Sequence, residues 1–302
     1  MKIPKRRIWQ VLFLVLLNLP LLGPWKGICV PVLNCHSCPL AVFACPIGVL
    51  GHFAALGILP LFALGTISLI GVFFGRILCG WICPFGWLQD MLYKIPSPKW
   101  RLARWMRGIK YVLLIGTVFL VPAFLGLDSA AFYCWFCPVG TLESLLPRAL
   151  ATGNFAALAA SWGRIVVLVA ILLLAVVSLR SFCKVLCPIG AILAIFNRFC
   201  GFSLRYDQSK CSACELCLEE CPMDVRIEDF RVSKPGVKEV LTAPSECILC
   251  FNCTKNCYQD GIQWTFWNLF GKKQKSSPGC EIANNEPPDL TGKEQEHHEP
   301  GE

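Results

Sequence analysis

The sequence predicts a membrane α-helical bundle of four transmembrane helices, built as two internal repeats and followed by a small cysteine-rich α+β domain. Three observations predict this class. The chain is 55% hydrophobic and 16% charged, whereas soluble domains average about 25% charged residues. Four apolar stretches come close to or exceed the length of about 20 residues that a spanning helix needs. Two dense cysteine runs follow the last of these stretches.

The predicted spans lie at about 8–28, 48–74, 109–127 and 162–179. The basic start "MKIPKRR" is also typical of a secretory signal, but no small-residue cleavage site follows, so we interpret the first stretch as a span. Lysine and arginine cluster before the first span and between the second and third, as they do in cytoplasmic loops. We expect a multi-pass protein in the lipid bilayer of the bacterial inner membrane, with cytoplasmic termini and no nucleic-acid partner.

Two closely similar motifs end the second and fourth spans. "GRILCGWICPFG" (75–86) and "RSFCKVLCPIG" (180–190) share the order Arg-x2-Cys-x3-Cys-Pro-x-Gly. Proline suits the first position of a helix. Each Cys-Pro pair is therefore predicted to start a helix with its cysteine at the N-cap, where the helix dipole favours a thiolate. A thiolate is both the metal-binding and the nucleophilic form of cysteine.

Together these motifs place four thiols at the cytoplasmic edge: Cys79, Cys83, Cys183 and Cys187. Four thiolates are the number that one shared [4Fe-4S] cluster needs. Two redox-active dithiols are the alternative. Arg76 and Arg180 precede the cysteines and are predicted to offset part of the negative charge of such a centre.

A second pair of motifs lies at the opposite membrane edge, where "CHSCP" (35–39) is similar to "CWFCP" (134–138). "CPIG", which starts at position 45, is expected to have no separate counterpart in the second half. These segments are expected to hold a further metal centre or to cycle as disulfides, through Cys35, Cys38, Cys45, Cys134 and Cys137. His52 lies at the outer end of the second span and is a candidate proton acceptor in a quinol site, because an ionisable residue at that depth is a functional candidate.

Two cysteine runs mark the C-terminal domain. "CSACELCLEECP" (211–222) has the order Cys-x2-Cys-x2-Cys-x3-Cys-Pro, and "CILCFNCTKNC" (247–257) repeats its cysteine spacing. This is the run of bacterial two-cluster ferredoxins, in which the fourth cysteine ligates the other cluster. A four-cysteine zinc site usually has two Cys-x2-Cys pairs instead. The predicted ligands are Cys211, Cys214, Cys217 and Cys257 for cluster one, and Cys247, Cys250, Cys253 and Cys221 for cluster two.

These motifs divide the chain into three parts. The helical domain covers 1–200, with repeat halves at about 1–97 and 107–200. The two-cluster ferredoxin domain covers 201–267. The tail, 268–302, is polar with almost no apolar residues and is predicted to be disordered.

The combination of four predicted spans, paired cysteine motifs at 79–86 and 183–190, and a C-terminal two-cluster run resembles the NapH/MauN family of membrane-bound 4Fe-4S ferredoxin (polyferredoxin) proteins. The resemblance covers about residues 1–267. It implies quinol-linked electron transfer across the bacterial inner membrane, between the quinone pool and other redox protein subunits. The outer motif "CHSCPLAVFACPIG" is similar to that of a subset of these proteins.

We therefore expect an integral inner-membrane electron-transfer protein, which acts as a subunit or as a quinol dehydrogenase component. Its expected cofactors are two [4Fe-4S] clusters and a further iron–sulfur centre in the membrane domain, with quinol as the substrate. Two alternatives remain open at this point. The first is a thiol- or metal-handling maturation factor for periplasmic redox enzymes, and the second is a membrane redox sensor.

Overall fold

The structure is a computed structural model and describes residues 6–19, 25, 27–32, 34–35, 37–38, 41–153, 155–207, 210, 216–225, 239–242, 244–257, 259 and 261–266. Two predicted cluster ligands, Cys211 and Cys214, lie outside the described residues. The tail predicted to be disordered, 268–302, lies outside them as well.

The predicted third span forms one long helix, Arg104–Leu125, which has 22 residues and a mean hydropathy of 2.0. At 1.5 Å per residue it is long enough to cross a hydrocarbon core about 30 Å thick. Its parts are a 3-10 turn Arg104–Gly108, α6 (Ile109–Leu113), a π-helical segment Leu114–Leu120 and α7 (Val121–Leu125). The π-helical segment ends next to Pro122, whose ring removes one intrahelical hydrogen bond, so the irregularity has a local cause.

The first and fourth predicted spans contain shorter helices. α1 (Arg6–Leu17) lies in the first, and α12 (Trp162–Val177) fills most of the fourth. The 16 residues of α12 correspond to about 24 Å of helix, less than a full hydrocarbon core. In the described part of the chain, one helix therefore has the length of a complete span, and four complete spans stay a prediction.

The prediction of one continuous helix for the second span, 48–74, is wrong. The chain turns between α2 (Pro46–Ala55) and α3 (Leu61–Phe74). Gly57 adopts φ = 66° at this turn, a conformation that glycine tolerates because it has no Cβ atom. Pro60 follows and cannot donate the backbone N–H that a continuing helix needs. As a result, α2 packs against the π-helical segment of the third span.

Two pairs of short helices recur with equal lengths in the two halves. α4 (Ile77–Trp81) and α5 (Pro84–Leu92) have five and nine residues, as do α13 (Ser181–Val185) and α14 (Pro188–Phe196). Four Cys-Pro pairs start helices, which confirms the local prediction: Cys45, Cys83, Cys137 and Cys187 are the N-cap residues of α2, α5, α9 and α14. The helical segments between the third and fourth spans are α8 (Tyr133–Phe136), α9 (Pro138–Gly140), a π-helical segment Thr141–Leu145, α10 (Leu146–Thr152) and α11 (Phe155–Ala160).

The cysteine-rich part contains an antiparallel sheet with the strand order β2-β1-β3. The strands are β1 (Phe202–Asp207), β2 (Glu239–Thr242) and β3 (Ile262–Phe266), and Leu204 lies opposite both Thr242 and Trp264. Leu204 and Tyr206 alternate along β1 and are buried, as expected where one face of a strand packs on a core. Two short helices, α15 (Leu216–Glu219) and α16 (Asn252–Lys255), lie within the cysteine runs.

One apolar core runs through the helical part and the cysteine-rich part without a break. Phe85 and Phe182, which lie near the two repeat motifs, meet edge to face with ring centroids 5.0 Å apart. Both belong to the same buried cluster as Leu204 and Ile248. Because packed interiors resist relative displacement, this shared core fixes the cysteine runs against the ends of the helices.

Candidate iron–sulfur sites

Five cysteines from the two C-terminal runs line one cavity: Cys217, Cys221, Cys247, Cys250 and Cys253. Apolar side chains from the sheet and loops complete its wall. Val225 N–H donates to Cys221 Sγ and Leu249 N–H to Cys247 Sγ, each at 3.4 Å. All four residues predicted for cluster two therefore face the same space. Cys221 reaches it from the first run, and backbone donors to the sulfurs suit a thiolate-bound cluster.

The ligands predicted for cluster one are less completely described. Cys217 lies at the wall of this same cavity, and Cys257 is half-buried. Their predicted partners, Cys211 and Cys214, lie outside the described residues.

The loops around the cavity contain backbone conformations that are costly for residues with a side chain. Leu249 and Phe251, on either side of Cys250, have φ values of 50° and 60°, and Asp224 has φ = 50°. Such a conformation costs about 1–3 kcal/mol per residue and persists only where the surroundings impose it. Binding of a cluster by Cys250 and the neighbouring thiolates would hold these loops in such conformations.

The four thiols of the repeat motifs lie close together between the halves. Cys83, Cys183 and Cys187 are buried and Cys79 is half-buried. The other three thiols lie within electrostatic range of Cys187. Gly190 N–H donates to Cys187 Sγ at 3.3 Å, and Gln89 Nε2 donates to Cys183 Sγ at 3.2 Å. The structure thus brings together all four residues that the motifs single out.

The four thiols equal in number the ligands of one cubane cluster, which binds each thiolate to a different iron atom. Nε and Nη2 of Arg76 are also buried without a hydrogen-bond partner among the described residues. Buried donors without partners indicate an acceptor that belongs there.

The two arginines of the repeat motifs cross between the halves. A Cβ atom on Gly190 would lie 3.4 Å from Nη2 of Arg76, and one on Gly86 would lie 3.4 Å from Nη2 of Arg180. Arg180 also donates to the carbonyl oxygen of Cys79 at 3.1 Å. Each motif glycine therefore lies beside the guanidinium of the opposite half.

Each buried arginine belongs to a network of two cations and one carboxylate. In the Asp90 network, Arg180 donates twice to Asp90 at 2.7 Å and Arg6 donates to it at 2.5 Å. In the Glu246 network, Arg76 donates to Glu246 at 2.8 Å and Lys110 donates at 2.5 Å.

Both carboxylates in these networks are ionised. Burial would raise the pKa of Asp90, but Arg180 and Arg6 outweigh it and the pKa is lowered. Burial opposes ionisation of Glu246 in the same way, and Arg76 with Lys110 lowers its pKa. Two cations against one anion leave each network with one excess positive charge beside the thiols, and this excess favours bound thiolates.

The thiol site of the helical part touches the cavity of the cysteine runs directly. A Cβ atom on Gly80, which lies between Cys79 and Cys83, would overlap the carbonyl oxygen of Ile248. Trp81 Nε1 donates to the carbonyl oxygen of Leu249 at 3.0 Å. The segment from Cys79 to Cys83 therefore lies against the segment from Cys247 to Cys250.

Further contacts fix this junction. Asn197 Nδ2 donates to the carbonyl oxygens of Pro244 at 2.7 Å and Cys247 at 2.9 Å. On the other side of the cavity, Lys184 pairs with Asp224, and Arg107 donates to the carbonyl oxygen of Asp224 at 2.9 Å. The cysteine runs are thus held against both halves of the helical part.

Four of the five outer cysteines, Cys35, Cys45, Cys134 and Cys137, line a second cavity of about 250 Å³. Cys38 is buried, with 2% of its surface exposed, and is not among the described residues of the cavity wall. Glu143 accepts a hydrogen bond from Cys35 N–H at 2.8 Å. Burial raises the pKa of Glu143 to about 7. His52 lies exposed on α2, away from this wall.

Sequence reasoning missed the polar residues that support these thiols: Gln89, Asp90, Lys110, Asn197 and Glu246. Their partners lie far along the chain, so no local spacing identifies them. A weaker signal was present, because Gln89 and Asp90 are isolated polar residues in an apolar helix and Glu246 directly precedes the second cysteine run.

Comparison with known proteins finds iron–sulfur families along most of the chain. A family model described as a 4Fe-4S binding domain matches residues 56–103, 110–151 and 159–206. A model described as a 4Fe-4S dicluster domain matches residues 203–258. No solved structure matches this chain.

Curated proteins are similar in sequence to this chain over half of its length or more. An uncharacterized protein of Methanocaldococcus jannaschii is 26% identical over 211 residues, which cover 67% of this chain and 76% of the relative. The ferredoxin-type protein NapH of Escherichia coli is 26% identical over 61% of this chain and 60% of its own length. The methylamine utilization ferredoxin-type protein MauN of Methylobacillus flagellatus is 28% identical over 52% of this chain and 53% of its own.

Proposed function

We propose that this chain, a ferredoxin-type 4Fe-4S protein of the family that includes NapH and MauN, is an integral cell-membrane protein. In this proposal it carries electrons between quinol and partner redox proteins. The clusters, when bound, supply one-electron transfer at potentials that the protein sets through charge and hydrogen bonds. The chain's own residues hold the clusters, bring them together and balance their charge.

The observation that carries this proposal is the direct contact between the two thiol-bearing segments. Gly80 and Ile248 meet at backbone distance, and Trp81 is bonded to Leu249. A ferredoxin tethered only by a linker would need neither contact. An electron-transfer relay needs its centres at a fixed short separation, and the shared core supplies that.

The ligand assignment that we propose follows the cysteine groups. Cluster one takes Cys211, Cys214, Cys217 and Cys257, and cluster two takes Cys247, Cys250, Cys253 and Cys221. A third cluster is shared between the halves through Cys79, Cys83, Cys183 and Cys187. Three features support the third cluster: the hydrogen bonds to two of its sulfurs, the buried donors of Arg76 and the excess positive charge of the two networks. Two dithiols remain the alternative for these four residues.

Exposed apolar side chains on the helices support a membrane location. On the long helix, Val112 is 71% exposed and Phe124 is 82% exposed, and Leu173 of α12 is 63% exposed. Isolated exposed apolar residues are ordinary on soluble proteins, but contiguous apolar surfaces mark contact with lipid or with another protein. We propose a multi-pass arrangement with both termini in the cytoplasm, in agreement with the basic loops.

We propose that quinol in the bilayer is the electron donor or that quinone is the acceptor, with His52 of α2 as the residue that exchanges the proton. Its exposure on the helix surface leaves it accessible from the lipid side. Partner redox proteins would exchange electrons with the C-terminal clusters. The relatives' names, ferredoxin-type proteins, are consistent with that role.

The experiment is anaerobic reduction of the purified protein by ubiquinol or menaquinol, followed by EPR of the C-terminal clusters. We expect quinol to reduce them in the wild type, or oxidised quinone to oxidise them after reduction by dithionite. In Cys79→Ser/Cys183→Ser, the quinol-dependent rate should fall to the rate measured without quinol, while dithionite still reduces the clusters. Cys280→Ser, which belongs to none of the proposed ligand groups, is the matched control. An unchanged quinol-dependent rate in the double variant would contradict the relay.

A further inference from the structure

The cavity at the end opposite the C-terminal clusters is built by both halves of the helical domain. Arg164 near the start of α12 lines it, whereas Cys183 and Cys187 of the shared thiol site follow the end of α12. Tyr133, next to Cys134, donates from its hydroxyl to the carbonyl oxygen of Leu186, next to Cys187, at 3.3 Å. The outer cavity is therefore a distinct place in the molecule, and one tyrosine side chain connects its wall to the shared thiol site.

Two of its thiols occupy equivalent motif positions. Cys45 is the N-cap of α2 and Cys137 the N-cap of α9, each followed by proline at the first helical position. The backbone N–H groups of Ile47 and Gly48 lie near the Cys45 thiol, and those of Val139 and Gly140 lie near the Cys137 thiol. Cys187 holds the same N-cap position before proline, and there Gly190 N–H donates to the sulfur at 3.3 Å.

The structure corrects the sequence-based pairing of the outer motifs. Spacing had matched Cys38 with Cys137 and left "CPIG" at position 45 without a counterpart. By its place at a helix N-cap before proline, Cys45 is the counterpart of Cys137. Cys38 is buried next to Cys35 and is not among the described residues of the cavity wall.

The other two thiols come from the segments before these helices. Cys38 N–H donates to the carbonyl oxygen of Cys35 at 3.0 Å, and a Cβ atom on Gly140 would lie 3.8 Å from Cys35 Sγ. Glu143 holds the Cys35 backbone from the second half. Cys134 lies within electrostatic range of Cys35, Cys45 and Cys137. Each half thus supplies two thiols to one space.

The charge around this cavity suits a bound anionic group. Arg148 and Arg164 line it, and Arg164 is held over the ring of Trp135 at 5.4 Å. These two cations outnumber Glu143, whose side chain bonds to the backbone of Cys35. A cubane core bound by four thiolates keeps a net negative charge, which nearby arginines stabilise.

We propose that Cys35, Cys45, Cys134 and Cys137 bind an additional iron–sulfur cluster of the [4Fe-4S] type. A single zinc or copper ion would need the thiols to converge at about 2.3 Å from one point, so the metal content of the protein distinguishes the two kinds of site. The cavity of about 250 Å³ leaves space for a polynuclear core between the thiols. The matches to the 4Fe-4S binding domain include Cys134 and Cys137 but neither Cys35 nor Cys45.

The test compares iron, acid-labile sulfide, zinc and copper in anaerobically purified full-length variants. Cys45→Ser/Cys137→Ser should lose about four iron and four sulfide per chain relative to the wild type, the content of one cluster. Cys38→Ser, in the same loop but off the cavity wall, should lose none. EPR signals of the C-terminal clusters should persist in both variants, which shows that the fold and the other sites are intact.

A second measurement uses the wild type alone, so that a folding defect does not decide the result. The four cavity cysteines should resist a small maleimide while iron is bound and react after iron is removed with a chelator, as followed by mass spectrometry. Unchanged iron in the folded double variant would overturn the proposal. So would stoichiometric zinc or copper lost in its place, a disulfide among these cysteines, or alkylation of them with iron present.

Discussion

Two buried arginines determine how the halves of the helical domain fit together. Arg76 and Arg180 have fully buried side chains, and each lies beside the motif glycine of the opposite half. A buried guanidinium needs a carboxylate, because desolvation of an unpaired charge costs several kcal/mol. Asp90 supplies it for Arg180, and Glu246 of the cysteine-rich part supplies it for Arg76.

The repeat is therefore incomplete at the residue scale. Asp90 lies in α5, whereas the residue four positions after Gly190 in α14 is Ala194, which cannot form an ion pair. Glu246 takes this role from outside the helical domain. Arg76, which lies beside Gly190 of the second half, is therefore neutralised by the cysteine-rich part. This pairing couples the formation of the shared thiol site to that of the C-terminal site.

Asp90→Asn tests the buried pair. Removal of one partner from a buried ion pair costs about 3–5 kcal/mol, because the other charge is left unpaired. We expect Asp90→Asn to lower the stability of the purified protein by that amount, as measured by unfolding in detergent. Arg101→Gln is the matched control, because Arg101 is 55% exposed and such pairs contribute about 0–1 kcal/mol. Equal stability of the two variants would contradict the assigned role.

At the scale of elements, the contact between α4 and the second cysteine run matters most. α4 carries Cys79 and Gly80, and its backbone lies directly against Ile248. Gln10 Nε2 of α1 donates to the carbonyl oxygen of Gly80 at 2.9 Å, so the helix is held from both sides. A side chain at position 80 would overlap backbone atoms of Ile248, and a change of side-chain rotamer cannot relieve that overlap.

Gly80→Ala tests this contact. The added methyl group must displace the segment from Cys247 to Cys250, so we expect a lower content of the C-terminal clusters and slower quinol-linked reduction. Gly65→Ala in α3 is the control, because a Cβ atom there meets nothing within 4 Å and alanine favours a helix by about 1 kcal/mol over glycine. Iron analysis and EPR compare the two variants. Normal cluster signals in Gly80→Ala would show that the contact is dispensable.

Local chemistry made several elements predictable from the sequence. Proline at the first helical position and glycine three residues after each cysteine predicted the starts of α2, α5, α9 and α14. The break in the second span was also present in "LGILP" (56–60), but the apolar composition concealed it. Hydropathy identifies a stretch as apolar, but it does not identify a turn within that stretch.

Over the whole molecule, the sequence indicated which cysteines group together, but it did not indicate the residues that support them. Spacing alone grouped Cys79, Cys83, Cys183 and Cys187, because matched motifs in a repeat meet at its axis. The crossing of Arg76 to Gly190, the role of Glu246 and the use of Cys45 in place of Cys38 depend on tertiary packing. No local pattern encodes such contacts, since their partners are set by how distant segments fold together.

The proposed arrangement places three kinds of thiol site in a chain of 302 residues: the C-terminal pair, the shared site between the halves and the outer cavity. The first two are in contact, and Tyr133 connects the wall of the third to the segment of Cys187. Each site of the helical domain takes thiols from both halves. An assembly of this kind forms only when the repeats are paired, so cluster content reports directly on the fold.

The central claim is that the thiols between the halves hold a cluster in contact with the C-terminal pair. Mössbauer spectroscopy with iron and sulfide analysis of the wild type and of Cys79→Ser/Cys183→Ser tests it most directly. The account predicts that the variant loses about four iron per chain, the content of one [4Fe-4S] cluster, while the C-terminal cluster signals remain. Equal iron content and identical spectra in the two proteins would contradict it and assign these four cysteines to dithiol chemistry.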